Sequence, residues 1–355
     1  MGHVILTMEV DGAEQELVRH PLSAVEWYAR KADALEARLG LRHPETMAAL
    51  RDHARALAEL PERREEARER LTAIVRSQAE LLGYVHEETL ATTAVLVALF
   101  RGMGELDRAE EGARDVLTRR AELLGHDHPA TLESAALLAA VLEDLHRAPE
   151  AVALRRDVLE RTRLLRGPDH PDVFAHANVH AAALIKAERW EEAERELREL
   201  IGRMERCGEP EDSLLEPRAN LGAALCRLDR FEEAERVLRS ALAVQERTGR
   251  GTDELSRSIR NSLAALLHAQ GRYAEAAHLL RWTLAAWTRS HGDGHLATVR
   301  ARNNLANVLI DTGDRQEAGE LLQRCLDDYR RILGPDHPQA RSTGEQLDQL
   351  RGPQS

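Results

Sequence analysis

The chain is predicted to be all-α: a right-handed α-solenoid superhelix of stacked helix pairs. Three observations predict it. The first is composition. Of 355 residues, 43% are hydrophobic and 31% charged, yet aromatics reach only 3%. Ala, Leu, Glu and Arg dominate, residues that lose little side-chain freedom in a helix. The second is a recurrent alanine, at Ala24, Ala67, Ala109, Ala151, Ala193, Ala234, Ala276 and Ala318, with spacings of 43, 42, 42, 42, 41, 42 and 42. The third is a connector that returns in phase with it: LGLRHPET, LGYVHEET, LGHDHPAT, RGPDHPDV, HGDGHLAT and LGPDHPQA. A fixed period of this length means stacked units, because one helix pair cannot bury its apolar face alone.

The elements follow in order. Residues 1–21 form a leader, in which Val4–Val10 is strand-like, Asp11-Gly12 is a hairpin-type turn and Gln15–Arg19 is a return strand. A lone hairpin is marginal in water, so a partly ordered leader is the alternative. Residues 22–350 read as one uninterrupted array with no domain boundary, followed by a tail at 351–355. The array opens with an unpaired helix at Ser23–Leu39, continues with seven helix pairs from Pro44 to Leu333, and closes with a polar capping helix at Pro338–Leu350. Within a pair, a breaker such as Gly271-Arg272 separates two apolar-periodic segments. Between pairs, the connector glycine supplies a left-handed cap. The HP proline sits at the first helical position, where its missing N–H costs nothing. The histidines His43, His86, His128, His170, His295 and His337 are therefore read as turn and cap residues, one per repeat along one edge. Gly102 and Gly104 are expected to shorten the first helix of the second pair. The connectors near Cys207–Ser213 and at GRGTDE lack HP.

Composition and motifs exclude several functions. A formal net charge of -12 repels phosphate backbones, so no nucleic acid partner is expected. No apolar run approaches the ~20 residues a membrane helix needs, and no secretory signal is visible. Cys207, Cys226 and Cys325 are widely spaced and support neither a metal site nor a disulfide framework, so a cytoplasmic location fits. No phosphate loop, zinc helix, nucleophile elbow or dinucleotide fingerprint is present. The chain is expected to be no enzyme and to need no cofactor. The acidic pairs Glu191/Glu192 and Glu232/Glu233 fall at the starts of second helices, where carboxylates complement the helix dipole.

Ala264, Leu267, Ala276, Leu280 and Thr283 follow a small, large, alanine, large, small order. With the 42-residue period and the LGPDHPxT connector, this resembles the kinesin light chain type of tetratricopeptide repeat, common in bacterial regulatory proteins. Against the usual 34-residue unit, each repeat carries about two further helical turns, roughly 12 Å of added helix. The resemblance implies tetratricopeptide-like helix pairs whose first helices line a concave, peptide-binding groove. Carried onto this chain, the groove positions are Asn178, Lys186, Arg227, Asn261, His268, Arg300, Asn303 and Asn307. The resemblance gives Asn178, Asn261, Asn303 and Asn307 the role of bonding a peptide main chain, since an amide both donates and accepts. The third pair places Glu133, Glu143 and Asp144 at the same positions, so the groove is expected to be acidic early and cationic later. An acidic peptide or protein segment would then be drawn to the C-terminal half.

Two further candidates stand apart. Trp282 occupies a repeat position held elsewhere by Asp115, Asp157, Glu199, Ser240 and Arg324, which makes it a candidate exposed protein contact or self-association site; a tryptophan covered by the neighbouring repeat is the competing reading. His176 and His180 lie one helical turn apart and could share a metal; a hydrogen-bonded core histidine is the competing reading. The function expected is a non-catalytic, protein- or peptide-binding scaffold, adaptor or regulator. The alternatives are a ligand-sensing regulatory subunit of an effector complex and, more remotely, a metal-dependent enzyme using the histidine cluster.

Overall fold

The computed structural model describes residues 7–10, 13–16, 21–248 and 254–352. Sixteen helices occupy them. α1 (Pro21–Leu39) stands alone. The first helices of successive repeats are α2 (Pro44–Ala58), α4 (Glu87–Met103), α6 (Pro129–Asp144), α8 (Pro171–Lys186), α10 (Leu215–Arg227), α12 (Glu254–Ala269) and α14 (Leu296–Thr312). The second helices are α3 (Arg64–Leu82), α5 (Leu106–Leu124), α7 (Ala148–Arg166), α9 (Trp190–Arg206), α11 (Phe231–Arg247), α13 (Tyr273–His291) and α15 (Arg315–Leu333). α16 (Pro338–Arg351) closes the chain. Ahead of α1, the strands Thr7–Val10 and Ala13–Glu16 pair antiparallel, with Thr7 opposite Glu16 and Val10 opposite Ala13. The strand start at Val4, the turn pair Asp11-Gly12 and the return-strand end at Arg19 fall outside the described residues, as does most of the GRGTDE connector.

The chain forms two compact units, residues 1–187 and 188–355. In the first, each of α1 to α7 packs on the next helix along the chain; in the second, each of α9 to α15 does the same. The recurrent alanine explains why. Ala67, Ala109, Ala151, Ala193, Ala234, Ala276 and Ala318 are all fully buried, at 0% exposure. A methyl side chain there lets neighbouring helices approach closely, and larger apolar residues such as Leu71, Leu197, Leu238 and Leu322 fill the space around it. At Gly222 on α10 the approach is closer still: a Cβ would lie 2.6 Å from Leu238 Cδ2 on α11.

The second helices absorb most of the long repeat. Five of them reach 19 residues, whereas the first helices span 13 to 17. The expected shortening by Gly102 and Gly104 does not occur. α4 runs 17 residues through Gly102 and stops at Gly104, whose φ of 80° and ψ of 9° make the left-handed turn into α5. This turn recurs in each later repeat at Gly104, His146, Glu188, Asp229, Gly271 and Gly313, all with positive φ. Three side-chain-bearing residues therefore hold a conformation that glycine holds at no steric cost.

The connector glycines differ from the expected left-handed cap. Gly83, Gly125, Gly167, Gly292 and Gly334 combine φ of 83° to 96° with ψ of 157° to 167°, a region open almost only to glycine. The connector near Cys207 turns at Gly208 and enters α10 through a 3-10 turn at Glu211–Leu214.

Candidate functional site

The histidine series is structural. His43, His86, His128, His170, His295 and His337 each cap a helix, with Nδ1 accepting the backbone N–H two residues on at 3.1–3.3 Å. Thr89, Thr131 and Thr298 complete the motif by donating their hydroxyls to the carbonyls of Gly83, Gly125 and Gly292 at 2.8–2.9 Å. The connector thus satisfies its own backbone groups. The acidic starts of the second helices are occupied as well. Arg189 holds Glu192, and Arg230 holds Glu233 while reaching back to Glu194.

In the first unit the first helices present a shared face. A cavity of about 570 Å³ opens on it, floored by Ala91, Ala94 and Ala98 of α4 and bordered by Arg51, Arg55, Arg64 and Arg120 together with Glu59 and Glu133. Arg51 pairs with Glu88 at 2.9 Å, and the buried Arg120 with Glu87 at 2.6 Å. Arg64 spends its guanidinium on the carbonyls of Ala58 and Gly102. The sequence reading missed this cavity because its arginines come from three helices, α2, α3 and α5, and become neighbours only on folding. The expected acidic character of this stretch is corrected in part: Asp144 is neutralised by Arg101 at 2.5 Å, and Glu143 by Arg155 and Lys186 at 3.1 and 2.6 Å, while Glu133 is exposed at the cavity. Lys186 is therefore engaged with the neighbouring repeat. Asn178 lies on the same helix as Lys186, at 9% exposure.

The second unit carries the remaining groove candidates, on α10, α12 and α14. Arg227 and Arg300 are exposed and have no carboxylate partner among the described residues. Arg227 lies over the Trp190 ring, its Cζ 5.8 Å from the centroid. His268 is held by Asp311, Nε2 to Oδ2 at 2.5 Å, the same cross-repeat link that Lys186 makes with Glu143. Asn261, Asn303 and Asn307 are half-buried. The Oδ1 atoms of Asn261 and Asn303, which occupy one repeat register on α12 and α14, are buried and accept no hydrogen bond. An amide oxygen left so costs about 1–3 kcal/mol, which a donor from outside the chain would recover.

Trp282 follows the covered reading rather than the exposed one. It is half-buried, and the guanidinium of Arg260 stacks on its ring, Cζ 3.8 Å from the centroid. A cation laid on the indole face claims the surface a partner would use. His180 is buried at 1% exposure inside the helix stack, whereas His176 is half-buried, and burial pushes its ring pKa down. Among the described residues no group of three His, Cys, Asp or Glu side chains is placed to hold a metal ion. No helix among them is long and apolar enough to cross a membrane.

Helices stacked in sequence, sealed by one buried alanine per repeat and joined by histidine-capped turns, define an α-solenoid repeat protein. Tetratricopeptide repeat profiles match residues 89–130 and 298–339, and others match 133–206, 212–289 and 255–318. The chain belongs to the tetratricopeptide repeat family. Among solved structures it is similar to the kinesin light chain-like repeats of Podosopora anserina, with 24% identity over 58% of this chain and 98% of that one, TM-score 0.50. A Rap protein complexed with Competence and Sporulation Factor has 13% identity over 93% and 97%, TM-score 0.55. Aspartyl phosphate phosphatase F of Bacillus subtilis has 10% identity over 85% and 75%, TM-score 0.60. These likenesses show the fold. No curated protein sequence matches the chain.

Proposed function

We propose that the protein is a non-catalytic scaffold or adaptor that holds an extended peptide segment of a partner protein on its first-helix faces. The observation that carries this is the pair of buried, unbonded amide oxygens on Asn261 and Asn303. Successive first helices offer the same acceptor in the same register, which suits a main chain donating an N–H at each repeat. Arg227 and Arg300, both without carboxylate partners, favour an acidic segment in the second unit. The fold supports the reading, since the family is generally one of non-catalytic scaffolds, and a Rap protein of this fold is complexed with Competence and Sporulation Factor. The repeats are proposed to act as one array. A reducing, cytoplasmic setting suits three free cysteines, of which Cys226 and Cys325 have thiols pushed up to about 11 and about 12 by burial. A peptide array probed with wild type and with Asn303→Ala/Asn307→Ala tests the groove. Loss of binding by the double variant supports it, and equal binding by both removes it.

One observation favours a second reading. The arginine-bordered cavity of the first unit suits a small anionic ligand, the chemistry a ligand-sensing regulatory subunit requires. Stabilisation of wild type, but not of Arg55→Ala, by a small phosphate ester in a thermal shift assay is its expected mark.

A further inference from the structure

α16 was read from the sequence as an end cap, and its apolar side behaves as one: Ala340 and Leu347 are buried with Leu322, Leu326 and Tyr329 of α15. Its other side is different. Between α14, α15 and α16 lies a cavity of about 480 Å³ lined almost wholly by polar side chains, among them Arg300, Asn303, Gln339, Ser342 and Gln346. Gln339, Ser342 and Gln346 are spaced i, i+3 and i+7, so they share one face of α16. No acidic side chain lines the cavity. Two of its acceptors, Asn303 Oδ1 and Gln339 Oε1, are buried and unbonded, one on each wall. Arg300 has no carboxylate partner among the described residues.

A helix that served only to shield the last pair would have no use for a buried amide oxygen without a donor. We infer that α16 and α14 together form a terminal subsite for an acidic peptide segment. In it, main-chain N–H groups of the peptide donate to Asn303 and Gln339, and a peptide carboxylate meets Arg300. The chemistry selects this occupant. Two acceptors lacking donors call for N–H groups, and a guanidinium without a counter-ion in a cavity without acids calls for an anion. A cationic ligand would satisfy the amides but meet Arg300 unfavourably. An apolar one would leave both oxygens unbonded. The subsite rests on the peptide-binding reading and deepens it by assigning the closing helix a binding wall.

The test is selection of binders from a phage-displayed library of random dodecapeptides on the full chain. Winners are then titrated calorimetrically against wild type, Gln339→Ala, Arg300→Gln and Asn261→Ala. Circular dichroism confirms that each variant is folded, and Gln339→Asn, which keeps an amide, serves as the conservative partner of Gln339→Ala. Binders enriched in Asp or Glu are expected, with Gln339→Ala and Arg300→Gln each weakening them about tenfold. Replacing the peptide's acidic residue by its amide should then abolish the effect of Arg300→Gln. A library that yields no binder overturns both the subsite and the groove. Binders that lose affinity on Asn261→Ala yet are indifferent to Gln339→Ala and Arg300→Gln overturn the subsite and leave the groove standing. Indifference to all three variants removes both.

Discussion

His128 shows how much one side chain does in each connector. Its Nδ1 accepts the Ala130 N–H at 3.2 Å, and Thr131 returns a hydroxyl bond to Gly125 at 2.8 Å. His128→Ala should cost about 1 kcal/mol in urea unfolding, and His128→Asn, whose side chain can still accept, much less. The opposite sign is expected at His146. Its φ of 58° sits where Gly104 and Gly313 sit in other repeats, so His146→Gly should stabilise by roughly 1 kcal/mol. The caps were legible in the sequence because HP recurs in phase and proline's geometry has one physical meaning. The left-handed turn was legible only where glycine marks it, as at Gly271. At His146, Glu188 and Asp229 the backbone takes the same turn without the residue that signals it. At Trp282 the sequence left two readings open: its repeat position is polar elsewhere, and the arginine that lies over it belongs to the preceding helix.

At the scale of the element, close packing and charge ladders dominate. Gly222→Ala drives a Cβ into Leu238, a fully buried side chain, and should destabilise by about 1–3 kcal/mol, read as a lower thermal midpoint. The starts of the second helices carry the charges. Glu110 is held below the usual glutamate range mainly by Arg114, Glu233 by Arg230, and Glu275 by Arg272. A carboxyl whose folded pKa is lowered contributes stability that is present above its ordinary value of 4.5 and lost as pH falls through the folded value. The thermal midpoint should therefore drop on acidification below that point, with a smaller drop in high salt. His53 and His176 act in the same direction at higher pH. Burial lowers both from 6.5, so their contribution begins to fade as pH falls below that value. NMR titration of His176 below the range of free imidazole would confirm the sign. The carboxylate–arginine pairings, three or four residues apart, follow from helix spacing alone; the cross-repeat links that join them, Arg147 to Glu110, Arg198 to Glu233 and Arg239 to Glu275, meet only once the helix pitch and repeat stagger are known.

For the molecule as a whole, the period predicted the helices closely: one unpaired, fourteen in alternation, one closing. The groove candidates were less legible. Register alone gives Asn261 and Asn303 one repeat position, on α12 and α14. It could not show that Lys186 and His268 are already engaged by Glu143 and Asp311. Nor could it show that Gln339 faces Asn303 across a cavity. If the two units act as one array, chemical unfolding should give a single transition by circular dichroism and by tryptophan fluorescence; two separate transitions would make them independent bodies. The central claim is that the buried amide oxygens of Asn261 and Asn303 exist to meet a peptide main chain. Calorimetric titration of an array-selected peptide, and of the same peptide N-methylated at alternate backbone positions, tests it most directly. The account predicts that N-methylation weakens binding to wild type by roughly tenfold or more, and that it changes little once both residues are alanine. Equal loss in wild type and in the Asn261→Ala/Asn303→Ala variant would contradict it.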